Sequence, residues 1–441
     1  MKDKIIDSKQ FDYIMFFCAC CYPLLKYSYR EIGDIFQTIL IIGSLFHIYK
    51  YRNYFIKDKM VKCLFISILL TITAWVASLY YIPDLARSMP KISVLSKLFF
   101  FIIIAYWLKG STKRVHAFLS CYIVGVFLLF NSHSTNFIQE TQQGLNGTRV
   151  DYGVVNANHP AVLSGIAFII CVFYSIKSVF SLTQHFTIKK TSMFLGLITL
   201  LIYFGLVVII TQSRQVWLAI PLAFLIAPVI YIITKKPNKK MFYLISVSTL
   251  SLVLLAISIA SQFSYVDKRS NSEKNVISEI LTGHISDLPY TSTGIRIHFW
   301  LEALPWIQKN PLFGYGEEAR GLVISQSTDL PSYIKAQFSH LHNSYIELVV
   351  QYGTPALLLF LYVYISLIKS TTFQKDSNEM YYLSLLFFIF WIITNNFESY
   401  TLQKTGEVVS NVIFPCFYTF HLTNKLFEFK TQNLKTLFCQ T

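Results

Sequence analysis

Charged residues are scarce in this chain: Asp, Glu, Lys and Arg make up only 14% of its 441 residues, against 54% hydrophobic. That shortage argues against the two or three soluble domains such a length would suggest, and for a polytopic membrane protein. Cysteine is sparse where it would matter. None of the eight falls within residues 262–352, the one long polar stretch, so neither a disulfide scaffold nor a thiolate metal site is expected there. Cys18, Cys20 and Cys21 sit in an apolar run and read as small packing residues. No H-E-x-x-H occurs, and Asp267, Glu273, Glu279, Asp287, Glu302, Glu317, Glu318 and Asp329, acids of the long stretch, form no D-x-D, so neither of these metal motifs is present. Internal repeats are missing too. The first apolar run, residues 13–25, lacks a small-residue cleavage site after it, which makes it a retained helix rather than a signal peptide.

What the chain has in excess is apolar length. Runs able, or nearly able, to cross a hydrocarbon layer of roughly 30 Å recur at 12–27, 33–50, 63–82, 93–109, 115–131, 161–182, 192–211, 215–234, 241–261, 353–369, 379–395 and 407–423. The pattern predicts an all-α polytopic membrane protein. Its first nine helices lie within 1–261, a catalytic loop spans 262–352, three more helices follow within 353–423, and 424–441 form a cytoplasmic tail. A net charge of +15 does not point to nucleic acid, because the basic residues are scattered between apolar runs. With the N-terminus inside, the inner segments hold 23 of the 38 Lys and Arg residues, so the long loop is expected on the outer side. Within it, residues 295–307 alternate Ile295, Phe299, Leu301, Leu304 and Trp306 with polar residues, predicting a helix along the membrane surface with tryptophans at headgroup depth. Asn310-Pro311 stops that helix, and Gly314 and Gly316 turn the chain.

Three arginines stand where packing does not call for them. Arg214 lies at an outer turn between two apolar helices, Arg296 on the surface helix, and Arg149 in the other long outer segment. The bland readings are snorkelling to lipid phosphate for the first two and pairing with Asp151 for Arg149. The functional reading is anion capture, because a guanidinium binds phosphate oxygens bidentately and keeps its proton. Lys97, near the outer end of the fourth run, either snorkels or helps hold an anion. His342, ahead of Asn343 and with Glu347 a little over one turn later, suits a general base for a hydroxyl nucleophile, with His340 its neighbour and Glu347 a group to orient it. Its bland reading is a helix-start residue. Gly314-x-Gly316-x-x-Ala319 follows no strand and reads as a turn, not a nucleotide loop. Asn146-x-Thr148 is a weak glycosylation match, and Asn158 reads as a cap for the sixth helix.

These motifs, in this order, resemble the O-antigen ligase and polymerase superfamily of bacterial inner-membrane glycosyltransferases. The resemblance rests on Ser213-Arg214, Gly294-x-Arg296, the Pro311 to Gly316 turn and His340-x-His342-Asn343 followed by Glu347 and Gly353. It implies a C-type glycosyltransferase-like fold of twelve helices with the large periplasmic loop between the ninth and tenth. The donor would be an undecaprenyl-diphosphate-linked glycan, the acceptor a sugar hydroxyl of lipid A core oligosaccharide, and the location the inner membrane with its site facing the periplasm and membrane lipids around it. Carried over by position, Arg214 and Arg296 would hold the diphosphate and His342 would activate the acceptor, with Arg149, Lys97, His340, Asn343 and Glu347 as substrate-binding candidates. No metal, cofactor or nucleic acid is implied, and a single displacement would invert the anomeric carbon. The ligase branch fits best; a polysaccharide polymerase or a protein O-oligosaccharyltransferase would use the same donor. A secondary transporter fits less well, because no halves repeat and the notable charges lie at the outer face rather than the midplane.

Overall fold

A computed structural model of the chain describes residues 8–184, 187–237, 258, 274–283, 288–374 and 378–438. Among them the fold is helical, with no strand. Long helices occupy the expected positions: α1 (Lys9–Leu25), α2 (Arg30–Lys50), α3 (Lys59–Tyr81), α4 (Ser93–Leu108), α5 (Thr112–His133), α6 (Phe137–Leu145, short), α7 (Asn158–Gln184), α8 (Ile188–Ile210) and α9 (Arg214–Lys235). The predicted ninth span, 241–261, lies outside the described residues but for Ser258, as do Asp267, Glu273, Asp287 and Cys439. After it come α10 (Lys274–Thr282), α11 (Ser292–Lys309), α12 (Ala319–Ser325), α13 (Ser332–Gln337), α14 (Ser344–Tyr352), α15 (Thr354–Ser370), α16 (Glu379–Asn395) and α17 (Lys404–Phe438). The last helix does not stop near residue 423; it runs on through the segment read as a tail.

Seven of these helices are long and apolar enough to cross a membrane, and α4 and α16 are shorter apolar helices. The protein is therefore an all-α polytopic membrane protein. Side-chain caps start several helices: Asp58 accepts from the amides of Met60 and Val61, Ser111 from Arg114, and Thr187 from Lys190. The bundle core is aromatic, with Trp107, Trp391, Tyr122, Phe101 and Phe118 fully buried. The seven described cysteines are free.

One irregularity bears on the site. In α4 the helix tightens to a 3-10 turn over Lys97–Phe99. The backbone groups this upsets are answered by Asn411 of α17, which donates to Lys97 O at 3.0 Å and accepts from Phe101 N at 2.9 Å. An apolar surrounding demands such repair, since water is absent to provide it.

The polar loop packs a small core of its own, with Phe299, Ala303, Tyr315, Ala319, Val323 and Leu341 buried together. The expected surface helix forms as α11, but Trp300 and Trp306 pack against this core, and Trp300 Nε1 donates to Leu341 O at 3.0 Å. Both tryptophans are half-buried, packed on this core on one side, while Leu301 and Leu304 of the same helix are exposed. The glycine turn locks onto the end of α14. Tyr315 and Gly316 amides donate to Val350 and Gln351 carbonyls, each at 2.9 Å, and Gly314 has φ +67° with the space for a β-carbon filled by the Gln351 and Tyr352 backbone at 2.5–2.6 Å. Only glycine meets both demands. Arg87 and Lys91, after α3, pair with Glu317 and Glu318 and fasten this turn to the bundle.

Candidate active site

Arg149, Arg214 and Arg296 line one cavity of about 160 Å³, together with Asn158, Ser213, Gln215, Ser292 and Phe397. Local structure delivers each arginine. Arg214 is the first residue of α9, behind Ser213 and a left-handed Gln212 (φ +51°) whose amide donates to Gly147 O at 2.9 Å. Arg296 sits one turn into α11, whose start is capped by Thr291 and whose Gly294 passes so close to Pro289 O that a β-carbon would lie 2.0 Å from it. Its guanidinium donates to Phe397 O at 3.0 Å and to Ser292. Arg149 donates to Thr211 O at 3.2 Å and to Asn158 Oδ1 at 2.8 Å. Asp151 accepts from Gly153 N at 3.0 Å.

Beside this cavity lies a buried carboxylate that sequence reasoning passed over. Glu398, with no exposed surface, accepts from His342 Nδ1 at 3.0 Å, His340 Nε2 at 3.2 Å, Ser399 N at 3.1 Å and, through its other oxygen, Asn158 Nδ2 at 3.1 Å. Burial alone would raise its pKa, but the hydrogen bonds and charges of His340 and His342 outweigh that and hold it well below the ordinary carboxylate value. An ionised carboxylate can only accept, so Nδ1 of His342 carries the proton. Burial, opposed by Glu398, keeps the His342 pKa below 6.5. The imidazole is therefore neutral near pH 7, with its lone pair on Nε2, the state a general base requires.

His342 also has φ +52°, a left-handed backbone that costs about 1–3 kcal/mol for most residues. The Asn343 cap of α14, which accepts from Tyr345 and Ile346 amides, fixes the chain immediately after it. Phe338 meets the ring edge-on at 5.6 Å and the His340 ring stands 4.1 Å away.

The expected site residues thus separate into groups. Arg149, Arg214 and Arg296 share a cavity, and His340 and His342 share Glu398. Glu347, expected to orient His342, does not: fully buried, it accepts from Leu341 N at 2.7 Å, Ser399 Oγ at 2.6 Å and Arg320 at 3.4 Å, bracing the turn instead. Burial raises its pKa above the ordinary value, against those partners. Nor is Glu347 placed to bind substrate, being closed off from solvent. Asn343 is spent on its cap. Lys97 lines a different cavity. Asn158, read as a cap, opens α7 with its side chain turned to Arg149 and Glu398. The signal for Glu398 was a single acid between asparagines and aromatics, Asn395-Asn396-Phe397-Glu398-Ser399-Tyr400, joining two apolar runs.

The ligand atoms of His340, His342 and Glu398 lie within 4.8 Å of one another, a spacing that could accommodate a metal ion, but the hydrogen bonds to Glu398 already account for it.

The structure is that of a multi-pass helical protein with an arginine-lined cavity near a His-Glu pair. Residues 198–361 match the family model described as O-antigen ligase, so that segment of the chain is similar to the O-antigen ligase superfamily. The segment includes Arg214, Arg296 and His342, whereas Arg149, Asn158 and Glu398 lie outside it. An uncharacterized protein of Haemophilus influenzae is 27% identical over 177 residues, 39% of this chain and 42% of that protein. The match thus spans less than half of that relative's length.

Proposed function

We propose that this chain transfers a glycan from an undecaprenyl-diphosphate carrier to a sugar hydroxyl of lipid A core, at the periplasmic face of the inner membrane. The observation that carries the reading is the hydrogen-bond chain from Arg149 through Asn158 to Glu398 and His342, which joins an anion cavity to a base. His342 Nε2 would take the acceptor hydroxyl's proton as that oxygen attacks the anomeric carbon. The bond from this carbon to the diphosphate oxygen breaks, its electron pair leaves with the diphosphate, and inversion follows. Arg149, Arg214 and Arg296 stabilise the charge that develops there, and Glu398 stabilises the imidazolium.

A polymerase or protein O-oligosaccharyltransferase would share the donor chemistry. Deletion of the gene followed by lipopolysaccharide gel analysis separates them. A ligase leaves long lipid-linked chains unattached; single-repeat attachment assigns a polymerase, and an unchanged lipopolysaccharide pattern with loss of protein glycosylation assigns the third activity. Complementation with His342→Ala should fail while the protein still accumulates in the membrane. Restoration by that variant would remove His342 as the base.

A further inference from the structure

A second, larger cavity of about 420 Å³ is lined in part by close sequence neighbours of the arginine-cavity residues and of Glu398. Sequence neighbours divide between the two: Asn158 and Phe397 line the arginine cavity, His159 and Thr401 the larger one, with Glu398 between. His159, buried, lines the larger cavity and points Nδ1 at Thr405 Oγ1 at 2.7 Å. Four basic residues, Lys91, Lys97, Arg320 and Lys404, line the larger cavity against two acids, Glu317 and Glu407. Lys91 pairs with Glu317 at 2.5 Å and Arg320 with the buried Glu347 at 3.4 Å. Lys97 and Lys404 make no ion pair with any described residue. The wall also holds an orphan: Gln351 is 1% exposed, and its amide nitrogen has no hydrogen-bond partner. A buried donor left unmet costs about 1–3 kcal/mol, so such a group at a cavity wall marks where a ligand's acceptor belongs.

We propose that this cavity binds an anionic substituent, phosphate or carboxylate, of the acceptor saccharide, with Lys97, Lys404 and Gln351 as its contacts. The proposal rests on the transferase reading above and assigns the acceptor's anionic group to this cavity, with the diphosphate in the arginine cavity. Gln351 lies on the helix that begins just after His342. From Ser344, where that helix starts, to Gln351 is about 10 Å along the axis at 1.5 Å rise per residue. The anionic group is therefore held well away from the reacting hydroxyl, fixing the acceptor's orientation without entering the chemistry. The volume agrees: the arginine cavity suits a small charged group, whereas the larger one admits a sugar and its substituent.

The test uses the full chain in nanodiscs of neutral phosphatidylcholine, titrated with core oligosaccharide either native or phosphatase-treated, and with inorganic phosphate. Binding should be at least tenfold tighter for the native oligosaccharide than for the treated one. Lys97→Ser/Lys404→Ser, at exposed positions that leave the fold undisturbed, should erase the difference, and Gln351→Leu should reduce it. In transfer assays the double variant should raise KM for the acceptor with kcat and the donor KM held. Equal binding of both oligosaccharides overturns the assignment, as does a variant whose donor KM rises instead. Nanodiscs containing phosphatidylglycerol supply the remaining arm: if that lipid displaces the oligosaccharide and stabilises wild type but not the variant, the cavity is a lipid-headgroup site and the acceptor proposal fails. Selective binding without any transfer would leave the site standing and sink the transferase reading.

Discussion

Arg149 and Glu398 are held in one hydrogen-bond chain by Asn158, whose amide oxygen accepts from the guanidinium at 2.8 Å and whose amide nitrogen donates to the carboxylate at 3.1 Å. Ser213 Oγ also donates to that oxygen, at 3.1 Å. A cation and a hydroxyl therefore face one end of the amide and an anion faces the other. Asn158→Asp keeps the acceptor but turns the donor into a second carboxylate oxygen against Glu398. Such like-charge contact in a buried place is expected to reduce transfer by at least about tenfold, roughly 1.4 kcal/mol in the barrier. Acceptor-dependent turnover of purified Asn158→Asp at the wild-type rate would show that the bridge is incidental.

The second prediction concerns pH. Because burial holds the His342 pKa below 6.5, the acid limb of transfer should have its midpoint below pH 6.5, as Nε2 becomes protonated. Glu398 favours the charged imidazole, so Glu398→Gln removes an effect that raises the His342 pKa, and the acid limb should move to still lower pH. The plateau should drop by about 10²- to 10⁴-fold, the range for a disabled general base, because the tautomer is no longer fixed. An acid limb that shifts upward in Glu398→Gln, or does not move, would contradict the assigned partnership.

The helices were legible because bilayer-length apolar runs are a composition signal, and the described spans fall where those runs lie. Arg214, Arg296 and His342 were legible because cations and histidines at the ends of apolar runs stand out against their surroundings. Glu398 was not, because its importance comes from burial and from partners far away in sequence, His340 and Asn158 among them. Glu347 misled for the opposite reason: its spacing from His342 on one helix suggested contact, while the left-handed turn at His342 sends the two side chains to different partners. That Trp300 and Trp306 of α11 also pack on the loop's own core was not legible, because nothing in a single helix reveals which segments will fold against it.

Arginine geometry gives the third prediction. Arg296 reaches Phe397 O and Ser292 with separate nitrogens, and Arg214 enters the same cavity from the first turn of α9. A lysine retains the charge but presents a point rather than a planar fork. Arg214→Lys and Arg296→Lys are therefore expected to lose much of the activity of wild type, measured as release of carrier diphosphate, with Arg214→Ala lower still. Attachment of surface polysaccharide at the wild-type level in Arg214→Ala would rule out a diphosphate role for that residue.

The last prediction separates a hydrogen-bonded cluster from a metal centre. His340 Nε2, His342 Nδ1 and Glu398 lie within 4.8 Å, so a divalent ion has a place to bind. In the hydrogen-bonded state Nδ1 carries the proton and Nε2 the lone pair. A metal on Nδ1 would displace the proton there and use the lone pair it leaves; with the proton moved to Nε2, the imidazole could not accept one from a hydroxyl. Chelation of the purified protein should then leave transfer within about twofold of its starting rate, and added zinc should inhibit by occupying the cluster. His340→Ala, which removes one ligand, should blunt the zinc effect. Should EDTA abolish transfer and a divalent cation restore it, the metal would be part of the working site and the role of His342 would have to be reassigned from base to ligand.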